Sequence, residues 1–147
     1  MSYEFKAIRR VEFSDTDMAG IMHYSNFFRY METAEHAYFR SLGLSIARDK
    51  NDPSVGWPRV HAECDFKLPL RFEDEVEIHL LVSEKRSKSI SYLFKFSKLN
   101  ATPVMEVARG KLTVVSVAMG EDGKMSACSI PPSIADKIQV APAELLV

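Results

Sequence analysis

A single stretch with helical periodicity constrains what this chain can fold into. Five apolar residues between positions 27 and 42 are spaced four, three, four and four positions apart, which predicts an amphipathic helix over Asn26–Leu42. Ser25 is the predicted N-cap, and Gly43 the predicted stop signal. Because no other part of the sequence carries a long helical pattern, a sheet in this fold must pack against this one helix. The apolar positions of the pattern are Phe27, Met31, Ala34, Tyr38 and Leu42.

Most of the remaining chain alternates apolar and polar residues, as half-buried strands do. One alternating run, Tyr3–Phe13, precedes the helix and four runs follow it. In the first of these four, Arg59 belongs to the charged face, opposite the apolar one. The last run, 104–119, contains Gly110 as a candidate bulge or point of close approach. The apolar positions of the first, second and third runs after the helix are, in order, Val60, Ala62, Cys64, Phe66, Leu68 and Leu70; Val76, Ile78, Leu80 and Val82; and Ile90, Tyr92, Phe94 and Phe96.

The order of these segments predicts the fold class. A strand, a helix and four strands with short late connections indicate an α+β fold, with a five-stranded antiparallel sheet wrapped around one helix. The 147 residues are expected to form one domain, with a core over about 3–120 and a C-terminal tail, 121–147, without a firm pattern. The connection 44–57 is expected to carry at most one short helical turn. The edges of so small a sheet need protection, which favours pairing between two copies.

Composition argues against several classes of partner. The net charge is −1, with 19 basic and 20 acidic residues, so the basic excess typical of nucleic-acid-binding proteins is missing. No apolar run approaches the ~20 residues that a membrane-spanning helix needs. Cys64 and Cys128 are the only cysteines, which favours a reducing, cytoplasmic setting. The histidines are scattered and form no two-ligand motif, so no metal site is expected.

The stretch FSDTDMAGIMHYSNFF concentrates polar residues just before the predicted helix. Two acids, Asp15 and Asp17, are followed by Gly20 and then by His23 and Tyr24. A helix N-terminus offers unpaired N–H groups and a partial positive charge, which stabilise a developing oxyanion. A carboxylate across a small gap from these donors would complete a minimal acyl-transfer site. Spacing alone leaves a second interpretation open, in which both acids only form hydrogen bonds within a turn.

These residues resemble the signature of a known enzyme family. The string Asp15-Thr16-Asp17-Met18-Ala19-Gly20, followed by His23, Tyr24 and the helix, is similar to the D-x-D-x-x-G motif of hotdog-fold acyl-CoA thioesterases of the 4-hydroxybenzoyl-CoA thioesterase and YbgC-like type. The resemblance implies the hotdog fold and hydrolysis of an acyl-CoA thioester to free acid and CoA. It implies that Asp17 is the catalytic carboxylate, as nucleophile or general base, and that the main-chain N–H of Tyr24 polarises the thioester carbonyl. Asp15 would then be structural.

The resemblance also implies how CoA is held and how subunits assemble. Arg86 and Lys88 match a basic connection between strands that binds CoA phosphates, although Ser87 stands where that connection has a further basic residue. From the residues alone, the segment reads equally as a solvated hairpin turn. Members of the family are homodimers or homotetramers with the active site at the subunit interface. Coenzyme A enters as part of the substrate, and no other cofactor is expected.

Further side chains are expected to contact the substrate or to lie near it. His23 is the candidate in the loop, and Trp57 and His61 are candidates for lining the acyl pocket. The latter two begin a strand that lies near the partner's site in dimers of this kind. The alternative for Trp57 is packing within the loop, and the alternative for His61 is an exposed position on the strand. Glu32 and Glu35 are expected on a solvated helix face, with a supporting role near the site as the alternative.

Two other functions on the same fold stay open at this point. A non-catalytic module that binds acyl-CoA or an acyl-carrier protein would not need Asp17. A dehydratase or hydratase would use a histidine with a carboxylate, for which His23 near Asp17 is the candidate. Within the thioesterase interpretation, the acyl group, aromatic or aliphatic, stays open as well.

Overall fold

The computed structural model describes residues 2–47 and 55–147. They contain one long helix, α1 (Ser25–Ser41), and a five-stranded antiparallel sheet. The predicted α+β architecture, with one strand before the helix and four after it, is confirmed. The strands of the sheet are β1 (Glu4–Arg10), β2 (Arg59–Phe66), β3 (Glu75–Lys85), β4 (Ser89–Lys98) and β5 (Met105–Val115).

The core lies between α1 and one face of the sheet. The strand order is β1-β3-β4-β5-β2, so β3, β4 and β5 are central and β1 and β2 are edges. Alternate residues of the central strands are buried, as the alternation predicts, and each fully buried apolar side chain stabilises the fold by ~1.5–3 kcal/mol. The buried residues include Val76, Ile78, Leu80 and Val82 on β3, Ile90, Tyr92, Phe94 and Phe96 on β4, and Phe27, Tyr30, Met31, Ala34 and Tyr38 on α1.

The two ends of α1 differ in how closely they follow the prediction. Gly43 follows the helix with a φ of 76°, which confirms it as the stop signal. At the start, Tyr24 occupies the N-cap position without a side-chain cap, so the prediction of Ser25 as the N-cap is wrong. Ser25 is the first helical residue, and its N–H donates to Nδ1 of His23 at 3.2 Å. His23 therefore supplies an acceptor for the first N–H of the helix.

β2 departs from the predicted half-buried strand because it is an edge strand with a bulge. Arg59 pairs with Val114 and His61 with Thr113, so Val60 is an extra residue. The bulge turns Arg59 toward α1, where its Nη2 donates to Glu35, and the prediction that Arg59 lies on the outward charged face is wrong. The strand ends at Phe66 rather than Leu70. Since no described strand covers this edge, Val60, Phe66 and Leu68 are exposed.

Glu35 is fully buried, with 0% of its surface exposed, and does not lie on a solvated helix face as predicted. Its carboxylate accepts the hydrogen bond from Arg59 and lies beside Tyr92 of β4. Burial raises the pKa of Glu35, and the charge of Arg59 offsets only part of that rise. Glu32, one turn earlier, is exposed.

The last predicted strand divides into two. β5 ends at Val115, and β6 (Val117–Met119) then pairs with β7 (Met125–Ala127) in a separate hairpin. Gly110 in β5 is a point of close approach, because a Cβ added there would collide with the Met31 side chain of α1. A larger residue there would require the flexible end of the Met31 side chain to move.

The C-terminal tail has more structure than the sequence indicates. A short helix, α2 (Pro132–Ala135), buries Ile134 in the main core, with Ile130 and Ile138 on either side. The chain then crosses the outer face of the sheet, where Ala141 packs with Leu81 and Leu93. The expected helical turn within 44–57 falls partly on 48–54, which lie outside the described residues. Within the described residues, no helix combines the length and the apolar character needed to cross a membrane.

Candidate active site

A cavity of about 390 Å³ opens at the N-terminal end of α1. Asp17 and Tyr24 line it from the loop that precedes the helix. The two predicted catalytic positions therefore share one cavity. Its remaining wall is mostly apolar and consists of Ile21, Met22, Phe27, Phe66, Lys67, Leu68, Pro69 and Leu70.

Asp17 sits in a tight turn with its side chain exposed. Its Oδ1 accepts the N–H of Ala19 at 2.9 Å, and its carbonyl accepts the N–H of Gly20 at 2.9 Å. Gly20 has a φ of 78°, a conformation that glycine adopts without strain. Within 2–47 and 55–147, the Asp17 carboxylate accepts this one hydrogen bond and forms no ion pair. Most of its acceptor capacity therefore faces the cavity and solvent.

Tyr24 presents its main chain as a donor at the helix end. Its φ of −56° and ψ of −31° are helical, so its N–H points along the helix axis, away from the helix. Among the described residues this N–H has no hydrogen-bond acceptor. The helix dipole adds partial positive charge at the same place. The ring is 63% exposed and stacks on His23, with 4.6 Å between centroids.

Asp15 differs from Asp17 in that its carboxylate accepts hydrogen bonds from other parts of the protein. Its Oδ2 accepts the hydroxyl of Tyr30 at 2.7 Å and the N–H of Glu12 at 3.0 Å. These contacts connect the loop to the interior of α1 and to the end of β1. They agree with a structural role for Asp15.

The three predicted substrate contacts lie in three different places. His23 adjoins Tyr24, but its Nδ1 is directed to Ser25. Trp57 is buried against Phe39, with ring centroids 5.8 Å apart, in the C-terminal half of α1. His61 lines a different cavity, of about 520 Å³, on the outer face of the sheet. Neither Trp57 nor His61 reaches the Asp17 cavity of the same chain, and their roles stay predictions.

Arg86 and Lys88 lie at the opposite end of the sheet from the loop. They belong to the exposed hairpin between β3 and β4, and Arg86 Nε donates to Glu84 at 2.7 Å. β3 begins beside the end of β1, where Glu75 pairs with Arg10, and runs for 11 residues to this hairpin. At ~3.3 Å per residue, the strand separates the hairpin from the Asp17 loop by about 30 Å. One chain therefore does not bring the predicted CoA contacts to the predicted catalytic carboxylate.

Sequence reasoning missed much of the cavity wall. Phe66 ends β2, and Lys67 and Leu68 follow it. The rings of Phe66 and of Phe27 in the first turn of α1 meet with centroids 5.0 Å apart. The alternation in β2 shows a strand but does not show which end of the helix the strand reaches. Pro69 was a usable signal for the edge position of β2, since proline in a sheet is confined to edges, strand ends and bulges. The described residues include no cluster of three or more potential metal ligands.

Comparison with known proteins decides the family. The sequence model described as the thioesterase-like superfamily matches residues 11–138. The chain belongs to the thioesterase-like superfamily. This match and the similarity to a solved gentisyl-coenzyme A thioesterase confirm the resemblance, the hotdog fold and the prediction that the chain is an acyl-CoA thioesterase.

Individual proteins resemble this thioesterase over different lengths. A putative esterase of Aquifex aeolicus is 31% identical over 131 residues, covering 89% of this chain and 94% of that protein. A 1,4-dihydroxy-2-naphthoyl-CoA hydrolase of Synechococcus sp. (strain CC9902) is 35% identical over 78 residues, covering 50% of this chain and 52% of the hydrolase. This alignment thus spans about half of that relative. The solved structure of a gentisyl-coenzyme A thioesterase is 33% identical, with a TM-score of 0.76, covering 89% of this chain and 99% of that one.

Proposed function

We propose that this thioesterase hydrolyses its acyl-CoA substrate in the cavity between Asp17 and Tyr24, yielding the free acid and CoA. The observation that carries this proposal is that one mostly apolar cavity is lined both by Asp17, whose carboxylate is exposed, and by Tyr24, whose main-chain N–H has no acceptor among the described residues. Carboxylate and oxyanion donor are the two groups that acyl transfer needs, and the family supplies the reaction class.

The proposed chemistry divides between the two groups. The Tyr24 N–H donates to the thioester carbonyl oxygen and stabilises the negative charge that develops there, an interaction worth about 10²–10³ in rate. The Asp17 carboxylate either attacks the carbonyl carbon or removes a proton from the attacking water. In the first case, water then hydrolyses the resulting mixed anhydride. In both cases, the C–S bond breaks, its electron pair leaves with the CoA sulfur, which takes up a proton, and the acid gains an oxygen from water.

The cavity wall favours an apolar, and we propose aromatic, acyl group. Its volume of about 390 Å³ fits a compact acyl group rather than a whole acyl-CoA. Phe27 and Phe66 offer aromatic surfaces, which pack well edge to face with a ring. Two of the similar proteins are named for acyl groups with aromatic rings, 1,4-dihydroxy-2-naphthoyl and gentisyl.

The remaining predicted contacts require a second chain. We propose a homodimer or homotetramer in which the partner's hairpin brings Arg86 and Lys88 to the CoA phosphates. The exposed apolar residues Val60, Phe66 and Leu68 make the β2 edge a suitable interface, because pairing would cover them and satisfy its free main-chain groups. CoA enters as part of the substrate, and no metal or other cofactor has a part in this scheme.

A matched pair of lysines tests the CoA contact. Lys88→Ala should raise KM about tenfold with little change in kcat, because it removes ground-state binding to phosphate. Lys124→Ala, in the exposed turn between β6 and β7, removes the same charge away from the proposed site and should leave KM unchanged. Equal KM values for the two variants would remove Lys88 from the CoA site. A monomer mass in light scattering at micromolar concentration would remove the shared site altogether.

The proposal as a whole is tested by thiol release from a panel of acetyl-, hexanoyl-, benzoyl- and 1,4-dihydroxy-2-naphthoyl-CoA. Asp17→Asn should lower kcat about 10²–10⁴-fold on the substrate hydrolysed fastest. The control is Asp122→Asn, because Asp122 is also exposed and its Oδ1 likewise accepts the N–H two residues on, from Lys124 at 3.0 Å. Asp122→Asn should match the unmodified enzyme. Equal activity of both variants would contradict the role of Asp17, and tight binding without turnover by the unmodified enzyme would favour a binding module.

A further inference from the structure

We propose that Tyr30 and Asp15 act as a pair of positioning residues that hold Asp17 in place for catalysis. The inference rests on the proposed function, because it takes Asp17 as the catalytic carboxylate. Tyr30 lies in the second turn of α1 with 1% of its surface exposed. Its hydroxyl donates to Oδ2 of Asp15 at 2.7 Å, so a buried helix residue reaches directly into the catalytic loop.

Asp15 joins both ends of the loop that carries Asp17. On the side of β1, its Oδ2 also accepts the N–H of Glu12 at 3.0 Å. On the side of the helix, its carbonyl accepts the N–H of His23 at 2.9 Å and Nδ2 of Asn26 at 2.8 Å. The segment 16–22 therefore starts next to Asp15 in the chain and ends at His23, which is hydrogen-bonded to Asp15. A shift of Asp15 would move both ends of the loop, and Asp17 with them.

A residue of the sheet holds the Tyr30 ring in place. The Arg9 guanidinium of β1 lies over it, 4.0 Å from the ring centroid, and Arg9 Nη1 donates to Thr33 of the next helical turn at 3.1 Å. Burial and the bond to Asp15 raise the pKa of Tyr30, so the hydroxyl stays a donor across the ordinary pH range. The ring thus has a fixed direction, and its hydroxyl has one described partner.

A second tyrosine on the same helix provides a matched comparison. Tyr38 is two turns further along, fully buried, and its hydroxyl also donates a 2.7 Å hydrogen bond, to the carbonyl of Ser2. Tyr30→Phe and Tyr38→Phe therefore each remove one buried hydroxyl and keep the ring. They differ in that only the Tyr30 bond ends on the catalytic loop.

The test compares kcat and KM of the two variants on the panel member that the unmodified enzyme hydrolyses fastest. Tyr30→Phe should lower kcat about 10–100-fold with KM within about threefold, since small misplacement of a reacting group is costly while ground-state binding is kept. Tyr38→Phe should leave both constants nearly unchanged. Each variant should lower Tm by a few degrees, about as expected for one buried hydrogen bond. Asp15→Asn, alone and combined with Tyr30→Phe, should show losses that do not multiply, because both act through one bond.

A second measurement does not depend on activity. Amide hydrogen exchange of residues 15–23 should be faster in Tyr30→Phe than in the unmodified enzyme, and unchanged in Tyr38→Phe. If Tyr30→Phe keeps the kcat of Tyr38→Phe and the loop exchanges as before, the positioning role is wrong even if Asp17 is catalytic. If Asp17→Asn is fully active while loop exchange rises in Tyr30→Phe, the positioning contact stands and the proposed function fails.

Discussion

Each half of α1 has a tyrosine and a carboxylate in it or beside it, but the carboxylate is exposed near the N-terminal half and buried in the C-terminal half. Toward its N-terminus, the Tyr30 hydroxyl meets a loop whose last acid, Asp17, is exposed to a cavity. Toward its C-terminus, Tyr38 and Glu35 are fully buried, and the Glu35 carboxylate meets Arg59 inside the protein. Each half has a buried tyrosine and a carboxylate in the helix or beside it, but among the described residues the carboxylate beside the first half lines an open cavity, whereas that of the second half is buried.

This difference separates what the groups contribute. A carboxylate exposed to water contributes little to stability and stays free for chemistry, whereas a buried ion pair destabilises the fold severely once one partner is removed. We therefore expect substitutions in the first half to change activity more than stability. In the second half we expect the reverse.

The largest expected effect is that of Asp17→Asn on activity. Turnover should fall about 10²–10⁴-fold, while Tm should stay within about 1 °C because the side chain is exposed and accepts one described hydrogen bond. Thermal unfolding and thiol release on the same sample measure both quantities. A Tm that fell along with activity would mean that the first half is as structural as the second.

Next in size is the effect of Arg59→Ala on stability. Removing the guanidinium leaves the fully buried Glu35 without its partner, which should cost about 3–5 kcal/mol in urea unfolding. Arg10→Ala is the control, because Arg10 pairs with Glu75 at the surface at 3.3 Å and should cost only about 0–1 kcal/mol.

The same variant carries a pH dependence with a definite sign. Burial raises the pKa of Glu35 in the folded chain, so the unfolded chain loses its proton first as pH rises. The stability that the protonated form contributes is complete below the unfolded value of about 4.3 and is lost as pH rises through the folded value. Arg59→Ala should therefore be less stable at pH 8 than at pH 5. A loss equal to that of Arg10→Ala at both pH values would contradict the buried pair.

The smallest expected effect concerns the loss of stability at alkaline pH, for which the tyrosines of the two halves should behave alike. Burial raises the pKa of Tyr38 to about 12, above the ~10 of an exposed tyrosine, so the unfolded chain ionises first and stability falls between these pH values. Tyr38→Phe should make this alkaline loss shallower by about 1 kcal/mol per pH unit. Tyr30→Phe should act in the same direction, since the pKa of Tyr30 is raised as well.

Denaturant unfolding at several alkaline pH values measures this slope. A slope unchanged by Tyr38→Phe would show that its hydroxyl is not buried as described.

The fold was predictable because burial on one face leaves a period in the sequence. The spacing of Phe27, Met31, Ala34 and Tyr38 located α1 within one residue at each end, and the alternation in β3 and β4 located the central strands. That Asp17 and Tyr24 line one cavity was predictable because the acid spacing, the glycine and the helix onset fall within ten residues of one another, whereas their catalytic roles rest on the family resemblance and stay predictions. These features are local, so one segment of sequence contains them.

Features that depend on the neighbouring chain segments were not predictable in this way. The bulge at Val60 reverses the direction of Arg59, and no local pattern marks it. The cavity wall at Phe66 depends on which end of the helix β2 reaches. Glu35 did leave a signal, because it lies four residues after Met31 and three before Tyr38, on the apolar stripe itself.

The measurement that tests the central claim most directly follows bound substrate in Asp17→Asn. The variant is mixed with the acyl-CoA that the unmodified enzyme hydrolyses fastest, and both bound acyl-CoA and released thiol are followed over time. If Asp17 performs chemistry at a site that the rest of the protein forms, the variant binds the acyl-CoA with nearly unchanged affinity and leaves it intact. Release of thiol at the rate of the unmodified enzyme would contradict the account.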